Sequence, residues 1–264
     1  MISSATLIRD IGEIRRNKPL VHNITNYVVM NITANALLAA GASPVMAHAK
    51  EEVAEMASVA GSLVINIGTL SPSWVEAMEI AQKRALERKI PVVLDPVGAG
   101  ATKYRTEVAV SILSRGVSLV RGNASEIMAL AGAAGGTKGV DSTASSDAAT
   151  GAAKLLLEKG AQAVCISGET DYIISETETC SIANGHPMMP QVTGLGCTAT
   201  ALCGAFLAVN KNAAQAAAHA MGMMGIAGEI AAEKSEGPGS FVPAFLDALY
   251  NMQPALVAQK LKLV

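Results

Sequence analysis

The stretch LVINIGTLSPSWVEAMEIAQKRALERKIPVVLDPVGAGAT, residues 63–102, holds a complete strand–helix–strand unit. LVINIG (63–68) and PVVLD (91–95) are runs of strand length, apolar nearly throughout, as expected when helices cover both faces of a sheet. Between them Ser71 and Pro72 make an N-cap and first-turn pair. After that pair Val75, Met78, Ala81, Ala85 and Leu86 recur at helical spacing, while Glu79 and Lys83 face solvent one turn apart. Strand, helix and strand in this order predict an α/β fold with a mostly parallel central sheet.

The alternation continues in both directions. Leu20 with Val21, the trio Pro44, Val45 and Met46, VSLVR (117–121) and AVCIS (163–167) are further strand candidates. Helices are expected over residues 51–60, 102–114, 144–159 and 198–209. The tail from Thr198 onward reads as nearly all helix, with Met221, Met223 and Met224 assigned to core filling. Residues 133–150, rich in Gly, Ser, Thr and Ala, read as a mobile loop entering a helix and as a candidate to close over a site. Neither a repeat nor a boundary is visible, so residues 1–264 are expected to form a single domain.

Composition excludes several classes of function. With 20 Lys plus Arg against 22 Asp plus Glu, the chain carries no basic footprint for nucleic acid and no polybasic membrane patch. Cys165, Cys180, Cys197 and Cys203 contain no C-x-x-C pair, and His22, His48, His186 and His219 are too scattered for a zinc finger. The start lacks the order of a signal peptide, and the most apolar tract, residues 197–209, stops at Asn210, Lys211 and Asn212, short of a span. A cytoplasmic protein acting on small molecules is expected.

Ligands of open parallel sheets bind beyond the carboxyl ends of the strands. There the strand candidates run out into Asn23, Met46 and His48, Asn66, Asp95, Arg121 and Asn123, and Ser167. Each residue alone suits a turn or a cap. Together they line one edge with an acid, an arginine, amides and a hydroxyl, the makings of a polar small-molecule site. Two glycine turns meet the same edge: GAGAT (98–102) and TGLGC (193–197), each before a helix. Such turns present backbone N–H groups and the positive end of a helix to an anion. No G-x-x-x-x-G-K-[ST] is present, so the chain is not a P-loop enzyme, and the G-x-G before Cys197 lacks the later glycine of a dinucleotide fingerprint.

The segments HNITNYVVMNITAN (22–35), DPVGAGAT (95–102), RGNASEI (121–127), NGHPMMPQVTGLGC (184–197) and GPGSF (237–241) resemble, in this order, those of hydroxyethylthiazole kinases. The resemblance covers nearly the whole chain. It implies a ribokinase-like three-layer α/β/α sandwich, assembled as a homotrimer with active sites between subunits. The implied reaction is ATP- and Mg²⁺-dependent phosphorylation of 4-methyl-5-(2-hydroxyethyl)thiazole for thiamine salvage. Carried over by position, the thiazole alcohol is expected near Asn23, Met46 and the Gly194 backbone, and ATP near Arg121 and Ser167. Asp95 and Glu126, the latter within Asn123-Ala124-Ser125-Glu126, are expected to organise Mg²⁺ partly through water. Cys197 replaces the aspartate that ends this turn elsewhere in the superfamily and is expected to assist as a base. A free thiol titrates near pH ~8.5 and a helix N-terminus lowers that value, so a partly populated thiolate is expected. Another ribokinase-like vitamin kinase, a nucleotide-dependent hydrate dehydratase and a non-catalytic thiazole- or nucleotide-binding protein are the alternatives, separated by ADP release.

Overall fold

The computed structural model describes residues 2–132 and 142–264. Residues 133–141, the first half of the expected loop, lie outside the described residues, and from Ser142 the chain is helical. Eight strands form among the described residues: β1 (Leu20–Ile24), β2 (Ser43–Val45), β3 (Ser62–Asn66), β4 (Val92–Asp95), β5 (Val117–Asn123), β6 (Ala161–Ser167), β7 (Asp171–Ser175) and β8 (Thr179–Ile182). They build one sheet in the order β2-β1-β3-β4-β5-β6-β7-β8. The pairs from β2 to β6 are parallel, and β7 and β8 add an antiparallel edge.

Alternate residues of the parallel strands feed two cores. Val21, Val64, Val93 and Leu119 belong to one, and Leu63, Ile65, Leu94 and Val120 to the other. Both faces are therefore dry, which accounts for apolar runs without alternation. The first core is closed by α1 (Ser4–Asn17), α2 (Met30–Ala40), α8 (Leu195–Val209), α9 (Ala213–Glu233), α10 (Pro238–Tyr250) and α11 (Pro254–Lys260). The second is closed by α3 (Val53–Val59), α4 (Pro72–Glu87), α5 (Lys103–Ser114), α6 (Ala124–Ala131) and α7 (Ser142–Glu158). This is the three-layer sandwich, with Met221, Met223 and Met224 buried in its first core.

The differences from expectation are local. The hairpin β7–β8 was not anticipated, because DYIIS and TCSI are short and mixed in polarity, as befits an edge. Helix α1 was not anticipated either, although Ser3 and Thr6 form a capping box before Leu7, Ile11 and Ile14. That helix is tied down by Asp10, whose Oδ2 lies 2.7 Å from His219 Nδ1 of α9 and accepts from Asn210 Nδ2 at 2.6 Å. All three side chains are buried, and burial pulls the His219 imidazole below its ordinary value.

Helix α8 positions the site, and its small residues decide how near it comes. A β-carbon on Gly204 would stand 2.6 Å from Val64 Cγ2 and 3.2 Å from Val21 Cγ1, so helix and sheet touch backbone to side chain. Gly204→Val is expected to lower stability by about 1–3 kcal/mol through overpacking. Gly151→Ala in α7, where a β-carbon meets nothing within 4 Å, is expected to be neutral or to stabilise by up to about 1 kcal/mol. Thermal unfolding of the two variants checks the opposite signs.

Candidate active site

Strand order reverses at β1, which leads to β2 on one side and to β3 on the other. A crevice at such a reversal, beyond the carboxyl ends of the strands, is the expected place for a ligand. The first turns of α8 point into it. Gly194, at the N-cap, has φ 88°, and a β-carbon there would meet Val29 Cγ1 at 2.9 Å, so only glycine fits this turn. Cys197 and Thr200 follow one helical turn apart and face the strand ends.

A continuous hydrogen-bond chain joins them. Asn26 Nδ2 donates to Cys197 Sγ (3.4 Å) and to Asn66 Oδ1 (2.8 Å). Asn66 Nδ2 donates to Asp95 Oδ2 (2.8 Å), and Thr200 Oγ1 donates to the same oxygen (2.7 Å). Asp95 is buried, and burial pushes its carboxyl up to about 7; nearby Arg121 opposes the rise, Glu126 adds to it, and the two hydrogen bonds oppose it. Arg121 holds its proton more firmly than usual: burial opposes the charge, but Asp95 and Asp171 outweigh it. Its Nη2 donates to Ser167 Oγ at 2.7 Å, while Nη1 lies 3.1 Å from where a β-carbon of Gly196 would stand. The guanidinium therefore sits directly beneath the glycine turn before Cys197.

Glu126 occupies the opposite wall. Its Oε2 accepts from Asn123 N–H and Asn123 Oδ1 accepts from Glu126 N–H, both at 2.9 Å, a capping box that starts α6. Its Oε1 accepts from Gly98 N–H at 2.9 Å and so also holds the GAGAT turn. Among the described residues no group of three or more His, Cys, Asp or Glu side chains is arranged to hold a metal ion alone. Both hydrogen bonds to the Asp95 carboxylate fall on Oδ2, and a carboxylate dominated by burial is stabilised by a cation. That donor set fits Mg²⁺ shared with phosphate oxygens, which needs only one or two carboxylates.

Two expected site residues stand apart. Asn23 is buried with Nδ2 turned back onto Val21 O at 2.9 Å, and its Oδ1 has no partner. Met46 follows β2, and its carbonyl accepts from His48 Nδ1 at 3.1 Å; no hydrogen bond joins Met46 to the Cys197 chain. Sequence reading did not single out Asn26 and Thr200. Thr200 carried one signal, its place one helical turn after Cys197, although Thr198 offers a second hydroxyl on the same helix.

The chain matches the profile of the hydroxyethylthiazole kinase family over residues 11–255. A hydroxyethylthiazole kinase of Syntrophus aciditrophicus is 58% identical over 256 residues, 96% of this chain and 95% of that one. The solved hydroxyethylthiazole kinase of Pyrococcus horikoshii OT3 superposes with a TM-score of 0.91 at 43% identity, covering 98% of each chain. Pyridoxal kinase from Staphylococcus aureus, solved with AMP-PCP and pyridoxal, shares the fold, with a TM-score of 0.63 at 17% identity over 80% of this chain and 88% of its own.

One expectation is corrected by the geometry. Burial, helped by the charge of Asp95, pushes the Cys197 thiol up to about 11, and the contacts from Asn66, Asn26 and Arg121 do not reverse it. The thiolate fraction at pH 7 is then about 10⁻⁴, where a free thiol of pKa ~8.5 has about 3%. Alkylation of Cys197 by iodoacetamide is expected to be about two orders of magnitude slower than that of a free thiol at pH 7, and to climb without a plateau below pH ~10. Mass spectrometry of the Cys197 peptide across pH reads this, and a plateau near pH 8 contradicts it.

Proposed function

The chain belongs to the hydroxyethylthiazole kinase family, and from that premise we propose that it transfers the γ-phosphoryl group of ATP to the hydroxyl of 4-methyl-5-(2-hydroxyethyl)thiazole in thiamine salvage. One observation carries the reading. The Arg121 guanidinium and the Cys197 thiol flank the same glycine turn, at the positive end of α8. An acceptor hydroxyl beside Cys197 and a phosphoryl group over Gly196 would lie next to each other. Gly194 serves the thiazole side, to which Asn23 and Met46 are also assigned although neither joins the Cys197 hydrogen-bond chain, and Arg121 and Ser167 serve the nucleotide side. Asp95 and Glu126 hold Mg²⁺, which when bound neutralises phosphate charge.

Phosphoryl transfer passes through a loose transition state, so the protein contributes mainly position and charge. Arg121, kept protonated by Asp95, meets the charge that develops on the transferring group. The neutral Cys197 thiol orients the hydroxyl, whose proton leaves late, onto an oxygen of the transferring phosphoryl group, so base strength at Cys197 matters little. Residues 1–264 act as one kinase domain. No helix of the described residues is long and apolar enough to cross a membrane, which supports a cytoplasmic location.

Coupled ADP release tests the reaction. ADP is expected with the thiazole alcohol and not with pyridoxal; tight thiazole binding with no ADP release contradicts the proposal. Cys197→Ala is expected to lower kcat at or below the low end of the ~10²–10⁴-fold range of general-base assistance, with KM for the alcohol little changed. Cys197→Asp is expected to retain or raise kcat, since a carboxylate raised by this site as far as Asp95, to about 7, is still far more ionised at pH 7 than the thiol.

The same site supports self-association. Tyr27 (63% exposed) and Val28 (64% exposed) directly follow Asn26 in sequence, and Tyr27 packs tilted against Trp74 with ring centroids 4.7 Å apart. Apolar surface so near a polar crevice suits a neighbouring subunit that completes it. Light scattering is expected to give about three times the 27.0 kDa chain mass; a fully active monomer contradicts the trimer.

A further inference from the structure

Arg105 in the first turn of α5 uses a full charge on backbone carbonyls alone. Its Nη1 donates to Val97 O at 2.8 Å and to Ile67 O at 3.2 Å, and its Nη2 donates to Gly68 O at 2.7 Å. Among the described residues it has no carboxylate partner. These carbonyls belong to two different loops, one leaving β3 and the other leaving the neighbouring strand β4. The guanidinium is the bolt between them.

The seat of that bolt is built for it. Gly98 has φ 72°, and a β-carbon there would stand 3.2 Å from Arg105 Nη1. The helix that carries Arg105 is fixed at its start by Thr102 Oγ1, which accepts Arg105 N–H at 3.3 Å, and by Thr106 Oγ1, which accepts Gly100 N–H at 2.9 Å. Each clamped loop then touches one half of the site. Gly98 N–H donates to Glu126. Gly68 N–H donates to Asn66 Oδ1 at 3.0 Å, and a β-carbon on Gly68 would meet Asn26 Nδ2 at 2.6 Å. Asn26 in turn contacts Cys197.

We propose that Arg105 is a positioning residue for phosphoryl transfer, which sets the spacing between the Glu126–Asp95 wall and the Asn26–Cys197 wall. The proposal rests on the kinase reading above. Transfer demands close approach of acceptor and phosphoryl group, and a misplacement of about 1 Å from a distant change can cost ~10²-fold in rate. The planar fork of Arg reaches carbonyls on two loops at once, and the point charge of Lys does not reproduce it.

The test compares Arg105→Ala and Arg105→Lys with wild type. Arg105→Ala is expected to lower kcat by ~10²-fold while KM for the alcohol stays near wild type. Guanidinium ion at sub-denaturing concentration is expected to restore part of the lost kcat to the Ala variant and to leave wild type unimproved. Arg105→Lys is expected to fall between the two. Amide hydrogen exchange supplies a readout independent of turnover: exchange at Gly68 and Gly98 is expected to quicken in the Ala variant, with the interior of α8 unchanged. Wild-type kcat in Arg105→Ala overturns the proposal. So does a loss of activity that only tracks the folded fraction and resists guanidinium. If wild type itself releases no ADP with the thiazole alcohol, the kinase reading fails. Unchanged exchange at both glycines then still overturns the clamp.

Discussion

Everything at the site depends on how closely α8 lies on the sheet. At Gly204 there is no room for a β-carbon over Val64, and the stretch before it, from Cys197 to Cys203, is Ala, Cys, Thr and Leu, nearly all buried. Small residues shorten the distance between helix and strands, and a shorter distance lets short side chains meet. Thr200 reaches Asp95 with a hydroxyl and Cys197 reaches Asn26 with a thiol, neither of which has length to spare. A bulkier helix at this place would lift both from the strand ends. The three phenylalanines, Phe206 on α8 and Phe241 and Phe245 on α10, all lie buried in the first core.

Close packing also sets the electrostatics. Asp95 is sealed so well that its carboxyl rises to about 7 despite two hydrogen bonds and a nearby guanidinium. Arg121 is held charged in the same confined space. Apart from ligand, the pair is a buried acid and base whose desolvation is only partly repaid by attraction, a cost that proteins carry where charge is used. In the proposed complex a cation would add positive charge beside Asp95 and a phosphate negative charge beside Arg121. The thiol of Cys197 follows the same logic in reverse: half-buried next to a carboxylate, it is held protonated, whatever the helix end contributes.

Much of this was legible in the chain and some of it was not, for identifiable reasons. Strands β1 and β3 to β6 announced themselves as short apolar runs because both their faces are covered, whereas the edge strand β2 showed only as the trio Pro44, Val45 and Met46. The edge hairpin β7–β8 has one foot in solvent, and its mixed pattern hid it. Asp95, Arg121 and Ser167 were visible as polar residues at the ends of apolar runs, and Glu126 only through its motif's resemblance to the kinase family. Asn26, Thr200 and Arg105 were not, because what each does is defined by partners elsewhere: Thr200 meets Asp95 across 105 residues and Asn26 meets Cys197 across 171. The direction of the Cys197 shift was misjudged because a helix N-terminus is visible in a sequence and desolvation is not. Burial depends on the whole fold.

The two helical layers contribute different halves of the chemistry, and the sheet is their common reference. The layer with α8 supplies Cys197, Thr200 and the glycine turn over Arg121. The layer with α5 and α6 supplies Glu126, the GAGAT turn and Arg105. Neither layer touches the other through the sheet. They meet only beyond its edge, where the loops leaving β3 and β4 pass side by side. In the proposed reading the acceptor lies beside Cys197 on the α8 side and Glu126 stands on the α6 side, so accuracy across that seam would govern reactivity. Strand spacing fixes the seam in one direction, since adjacent strands stand about 4.8 Å apart by hydrogen bonding. Past the last strand pair, Asn66 with Asp95, the only ladder bond is Ile67 N–H to Asp95 O at 3.3 Å, and side chains must take over. That is the place where Asn66 reaches across to Asp95 and Arg105 reaches across to Ile67, Gly68 and Val97. The sheet's own hydrogen bonding is thus continued by an amide and a guanidinium for one more step, out to where the substrates would lie.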